Sequence, residues 1–312
     1  MERQKLIIDT DCGSDDAMAI AMAMHDANYE VLFFSTVAGN VSCEQAVVNT
    51  LTTLEKAGTY EPPVYPGCKL PLVTPLYYAH ETHGNDGMGD IGLLPHRLAA
   101  APGNGVLKIL EALAENAPGT VEIVALGPLT NLALAVRLAP ETMRRVKRIA
   151  VMGTAGLGRG NVSPAAEFNI WQDPEAAKIV LEAGLPLLFV GWDACLGDSM
   201  LNEQDIARLR DSGPLGEFAI ACNRCLMEMN EGRFGHPCLD MADPAAMAAA
   251  LCPDCIADCD DYYCEVDTST GVSRGAVLVD VNRFSGKAPN AAVCSRLKSD
   301  VYKAYIFRTL GA

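Results

Sequence analysis

At 312 residues, half of them hydrophobic and 20% charged, the chain is long enough for one large domain or two smaller ones with a substantial core. Its formal net charge of -15 argues against nucleic acid or an anionic membrane surface as a partner, because both need a basic face, and a small neutral molecule fits better. No run approaches the ~20 apolar residues of a membrane span, and residues 1–5 lead straight into an apolar segment without a leader or cleavage site, so a cytoplasmic protein is expected.

The first element is a strand over 5–8. The segment Asp9-Thr10-Asp11-Cys12-Gly13-Ser14-Asp15-Asp16-Ala17 follows it at once, with four carboxylates in eight residues. Like charges this close repel unless something positive sits among them. Oxygen donors of this kind suit a hard divalent cation, Ca²⁺ or Mg²⁺. Gly13 lets the chain turn sharply, and Ser14 is placed to cap a helix over 15–26. The plain alternative is a solvated acidic turn at a helix N-terminus; such caps seldom begin with two Asp on the strand side.

Further strands are expected over 30–37, 121–126, 148–152 and 187–190, and helices over 44–57, 106–117, 129–138 and 174–183. The apolar strands lack a polar face, which predicts a sheet covered on both sides. The stretch 61–102 is rich in Pro and Gly and reads as loop. Residues 202–250 read as mainly helical, and 262–266 and 276–281 as late strands. No internal repeat or low-complexity linker divides the chain. The expectation is a single domain over 1–312: an α/β fold with a Rossmann-like open, mostly parallel sheet, helices on both faces, a C-terminal helical region and small late strands.

In open parallel sheets ligands bind at the carboxyl ends of strands. Asp9 and Asp11 follow the first strand, Asn40 the second, Gly127-Pro128-Leu129-Thr130-Asn131 the third and Gly153-Thr154 the fourth. Four strand ends therefore converge on one expected pocket. Twelve cysteines include Cys252, Cys255, Cys259 and Cys264. A zinc set and reduced, buried thiols both stay open for these four, with the irregular gaps favouring thiols.

These motifs resemble those of the inosine-uridine preferring nucleoside hydrolases. Residues 9–17 match the family opening D-T-D-P-G-x-D-D-A with Cys12 in place of Pro. Ala125-Leu126-Gly127-Pro128-Leu129-Thr130-Asn131 matches A-L-G-P-L-T-N. Met152-Gly153-Thr154 is close to M-G-G, Ala166-Glu167-Phe168-Asn169 matches A-E-F-N, and Asp243-Pro244 matches the late D-P. The resemblance implies hydrolysis of the N-glycosidic bond of ribonucleosides to ribose and free base. It implies a Ca²⁺ held by Asp11, Asp16, the carbonyl of Leu126 and Asp243, with Asp11 the base that activates a water at the cation. It implies Asp15, Asn40, Met152, Asn161, Glu167, Phe168 and Asn169 around the substrate, His83 at the base in a mobile loop, and assembly as a homodimer or homotetramer. Read singly, Asn40 and Asn161 also suit turns, and Glu167 and His83 also suit a surface.

One departure stands out. Members suited to purine nucleosides carry His before the late Asp, where this chain has Ala242. A leaving-group acid is missing there, which argues mildly for pyrimidine nucleosides; His236, upstream, is a candidate to reach the pocket and also a plain turn residue. Cys12 is expected to pack, since a thiol is a poor Ca²⁺ ligand. Two rivals remain. A haloacid dehalogenase-like phosphatase fits Asp9-Thr10-Asp11 but not Gly13, and Lys147 or Lys178 lacks the context of its catalytic lysine. A catalytically weak nucleoside or ribose binder is kept alive by Ala242, against the retention of every expected ligand.

Overall fold

The structure, a computed structural model, describes residues 3–312. In chain order it runs β1 (Gln4–Thr10), α1 (Ser14–His25), β2 (Tyr29–Thr36), α2 (Cys43–Ala57), β3 (Val64–Pro66), α3 (His80–His83), α4 (Gly105–Glu115), β4 (Val121–Ala125), α5 (Thr130–Leu138), α6 (Pro140–Met143), β5 (Arg148–Met152), α7 (Phe168–Gln172), α8 (Pro174–Leu181) and β6 (Leu187–Val190). It continues through α9 (Glu203–Asp211), α10 (Pro214–Cys222), α11 (Arg224–Phe234), α12 (Ala242–Leu251), β7 (Ile256–Tyr262), β8 (Cys264–Val266), β9 (Val277–Val279), β10 (Ala291–Leu297) and α13 (Ser299–Leu310).

Eight strands form one sheet in the order β3-β2-β1-β4-β5-β6-β10-β7. All neighbours are parallel except the edge pair β10–β7. β1 shows why both faces are covered. Leu6 and Ile8 pack with residues of α1, α2, α12 and α13 on one side, while Ile7 packs with α4, α5 and α8 on the other. All three are fully buried. Alternate side chains of a strand point to opposite faces, so an unbroken apolar run needs a helical layer on each.

α1 and α12 pack along one another, and nearly every residue of both is buried. Their facing sequences are mostly Ala and Met, side chains short or pliable enough for two helices to approach closely. Each carries acid in its first turn: Asp15 and Asp16 in α1, Asp243 in α12.

The C-terminal part corrects the sequence reading. The expected strand over 262–266 is two elements, β7 and β8, in different sheets. β8 pairs antiparallel only with β9, which is shorter than the expected 276–281. The polar run Asp258-Cys259-Asp260-Asp261 of β7 hides a strand because it is an edge with exposed faces. β3 lies within the stretch read as loop. β10 and α13 add a buried strand and a closing helix that the sequence reading did not include.

Candidate active site

Chain order reverses direction in the sheet between β1 and β4, which is where an open α/β sheet offers its crevice. A cavity of about 630 Å³ opens there. Asp15, Asn40, His83, Leu126, Met152, Asn161, Glu167, Phe168, Asn169 and Asp243 all line it. Asp11 and Asp16 lie just behind, fully buried. His236 does not line it. It is exposed on the turn after α11, with Nδ1 3.4 Å from the Pro237 carbonyl oxygen, because that turn carries it away from the strand ends.

The acids form the floor. Carboxylate oxygens of Asp15, Asp16 and Asp243 come within 4.8 Å of one another. Asp16 accepts hydrogen bonds from the Thr10 hydroxyl (2.5 Å) and the Gly13 N–H (2.8 Å). Asp11 Oδ2 accepts the Asn40 N–H at 2.6 Å. Asp11 Oδ1 and Asp15 Oδ1 are buried without a hydrogen-bond partner. Burial, with the neighbouring carboxylates adding to it, pushes Asp11 and Asp243 well above the usual carboxylate range and Asp16 to about 7. Buried anions at this spacing call for an opposite charge. The unpaired oxygens and the all-oxygen donor set fit a hard divalent cation. Leu126 places its carbonyl at the same wall, where it accepts the Asn169 side-chain N–H at 2.6 Å.

Two glycines make room for Asp11. A Cβ on Gly39 would sit 2.1 Å from Asp11 Oδ2, and one on Gly127 would sit 2.9 Å from the Asp11 carboxyl carbon. Cys12 is buried, its thiol pushed well up by burial. Thr154, where the family pattern has Gly, holds a left-handed φ of 77°, a strained state for a β-branched residue beside the cavity wall.

The remaining polar residues have defined roles. His83 Nδ1 lies 3.2 Å from the Ser14 N–H and 2.8 Å from Ser14 Oγ, and 3.7 Å from Asp15 Oδ1. Because Nδ1 accepts the backbone N–H, the neutral ring carries its proton on Nε2. Burial lowers the pKa of His83, with the Asp15 charge opposing. Asn161 Oδ1 accepts the Phe168 N–H at 2.9 Å, leaving its amide N–H groups for a ligand. Glu167 caps α7 by accepting the N–H groups of Asn169 (2.9 Å) and Ile170 (3.3 Å), and burial lifts it to about 7.

The far end is lined by Trp192, Leu226, Met229, Arg233, Asp240 and Ala242. Leu226, Met229 and Arg233 share one face of α11, within the stretch read as mainly helical. Trp192, just past the end of β6, escaped that reading, although the strand-end rule that located Asp11 and Asn40 applies to it equally. No three of Cys252, Cys255, Cys259 and Cys264 approach within ligand distance; they are free thiols spread over the turn after α12, β7 and β8.

The raised carboxyls set an expected pH response of metal-free protein. In the unfolded chain Asp9, Asp16 and Glu167 lose their protons at their ordinary values of 3.8 to 4.5, and in the fold only near 6, 7 and 7. The unfolded state therefore binds fewer protons across this window, and stability falls as pH rises through it. Glu55, pushed down to about 2 by three backbone N–H donors, works the other way only below pH 4.5. Melts of chelator-treated protein are expected to lose several degrees between pH 5 and 7.5, and added Ca²⁺ is expected to restore them. A flat or rising profile contradicts the assignment.

No helix among the described residues is long and apolar enough to cross a membrane. The sequence matches the family model for inosine-uridine preferring nucleoside hydrolases over residues 6–304. It is 34% identical over 304 residues to the pyrimidine-specific ribonucleoside hydrolase RihB of Escherichia coli O157:H7, covering 96% of this chain and 95% of that one. Among solved structures, a plant nucleoside hydrolase (PpNRh1) superposes with a TM-score of 0.93 at 31% identity, covering 100% of both chains. A purine-preferring ribonucleoside hydrolase from Gardnerella vaginalis does so with a TM-score of 0.89 at 27% identity, covering 99% of this chain and 98% of that one.

Proposed function

Because the chain belongs to the inosine-uridine preferring nucleoside hydrolase family, we propose that it hydrolyses the N-glycosidic bond of ribonucleosides at this cavity with the help of Ca²⁺. The observation that carries the reading is the buried cluster of Asp15, Asp16 and Asp243, with Asp11 and Asp15 oxygens that have no hydrogen-bond partner among the described residues. Asp11, Asp16, Asp243 and the Leu126 carbonyl would hold the cation. A bound divalent cation supplies positive charge that eases loss of a proton from water.

Asp11 takes that proton, with Oδ1 as the free acceptor. Asn40, Asn161 and Asn169 orient the ribose hydroxyls through directional amides. Positive charge grows on the sugar as the bond to the base breaks, and Asp15 and its neighbours favour it. His83 offers Nε2–H towards the base. Glu167 acts chiefly through α7, whose first turn it holds so that Asn169 faces the cavity. Ala242 supplies no acid, which favours bases that leave without ring protonation, pyrimidines first. A cytoplasmic homo-oligomer is part of the same reading.

The family match over 6–304 spans Asp9-Thr10-Asp11, which favours the nucleoside hydrolase reading over a phosphatase. Ala242 supports one second reading, a weakly active nucleoside binder. The test is ribose release from uridine, cytidine, inosine, adenosine and guanosine, with and without a Ca²⁺ chelator. Release from uridine or cytidine, lost on chelation and restored by Ca²⁺, is the expected result. Ligand-dependent thermal stabilisation without ribose release would favour the binder.

A further inference from the structure

Asp240 sits in the far wall of the cavity and has no part in the mechanism above. It is 5% exposed. Its Oδ1 accepts the side-chain N–H of Asn230 at 2.6 Å, and Asn230, itself fully buried, also donates to the Cys238 carbonyl at 3.2 Å. That fixes the amide, since turning it over would set its oxygen against the carboxylate. Among the described residues Asp240 Oδ2 has no hydrogen-bond partner. The cavity lining also includes the apolar side chains of Trp192, Leu226, Met229 and Ala242. Arg233, at the same end, lies with its guanidinium 5.2 Å from the Trp192 ring centre.

A carboxylate oxygen that lines a cavity and has no protein partner is free to accept from a ligand seated there. A structural role, holding Asn230, is met by Oδ1 alone. Burial raises the Asp240 carboxyl and the Asp15 charge adds to it, against the Asn230 hydrogen bond and the Arg233 charge; the ionised form only accepts hydrogen bonds. Asp243, of the acid floor, is three residues along the chain, so a nucleoside seated on that floor has this wall within reach of its base.

Resting on the nucleoside reading above, we propose that Asp240 is a specificity-determining residue, whose free oxygen accepts a ring N–H of the base and so selects bases that carry one. Uracil and hypoxanthine offer such an N–H beside a carbonyl, and Arg233 is placed to donate to that carbonyl.

The test compares kcat/KM for uridine with 3-methyluridine, and for inosine with 1-methylinosine, in wild-type protein, Asp240→Ala and Asp240→Asn. Methylation removes the N–H. In wild-type protein it is expected to lower kcat/KM about 5- to 150-fold, the effect of leaving one buried acceptor unpaired. In Asp240→Ala the methyl penalty is expected to shrink to within about threefold. Asp240→Asn keeps the shape of the side chain, so it guards against loss of folding. Asn230 still demands an oxygen, which turns the new amide N–H into the cavity, and the penalty shrinks there too. A mere packing role changes kcat/KM for both partners of a pair and leaves their ratio alone. Wild-type cleavage of uridine or inosine with an undiminished methyl penalty in both variants would overturn the assignment of Asp240. Wild-type protein that cleaves none of these substrates refutes the hydrolase reading, and this assignment with it.

Discussion

Asp11→Asn is expected to lower kcat for the best nucleoside substrate by about 10²- to 10⁴-fold, the range lost with a general base, while KM moves little. The substitution keeps the shape of the side chain and the oxygen that accepts the Asn40 N–H. It removes one of several buried negative charges, whose mutual repulsion helps hold Asp11, Asp16 and Asp243 above their ordinary range. Metal-free Asp11→Asn is therefore expected to melt at or above the wild-type temperature. Steady-state kinetics and a thermal melt on the same preparation check both halves. A drop in kcat of less than tenfold would remove Asp11 from the role of base. A large drop together with a lowered melting temperature would point to a disturbed fold instead.

Gly39→Ala is expected to damage both the fold and the site. Its Cβ would lie 2.1 Å from Asp11 Oδ2 and 2.8 Å from Pro128 Cδ, so either the loop after β2 or the Asp11 carboxylate must move. Overpacking of this kind costs about 1–3 kcal/mol. A misplacement of about 1 Å in a catalytic group lowers rate about 10²-fold. Both losses are expected together, read as a lower melting temperature and a lower kcat. Gly232→Ala is the control, since its Cβ meets nothing within 4 Å. Gly39→Ala with wild-type activity would show that the loop yields without disturbing Asp11, and would weaken the case for a rigid acid floor.

The parts of this protein that were legible in its sequence are those where chemistry and local structure make the same demand. An apolar run followed by Asp9, Asp11, Asp15 and Asp16 places acids at a strand end whatever the rest of the chain does. Apart from β3 and a few short helices, the alternation of strands and helices up to β6 follows from such apolar runs. Beyond β6 the signal fades for physical reasons. β7 is polar because its faces are exposed, and β10 takes its place by pairing with β6, about a hundred residues earlier, and with β7. Asp240 and Trp192 belong to the cavity only because separate segments fold against one another, and no local spacing announces that. Glu167 was legible as a site residue, but its hydrogen bonds to the first turn of α7 were not. His236 was a reasonable candidate by distance along the chain and failed by direction.

The pairing of α1 with α12 has a consequence for how this protein can change. Asp15 and Asp16 stand at the start of one helix and Asp243 at the start of the other, and the two helices pack on one another through sequences rich in small, buried Ala. A bulkier residue deep in that seam, far from any substrate, would spread the acids apart. The packing of the apolar interior thus sets the spacing of the three acids, and a change in one is felt in the other.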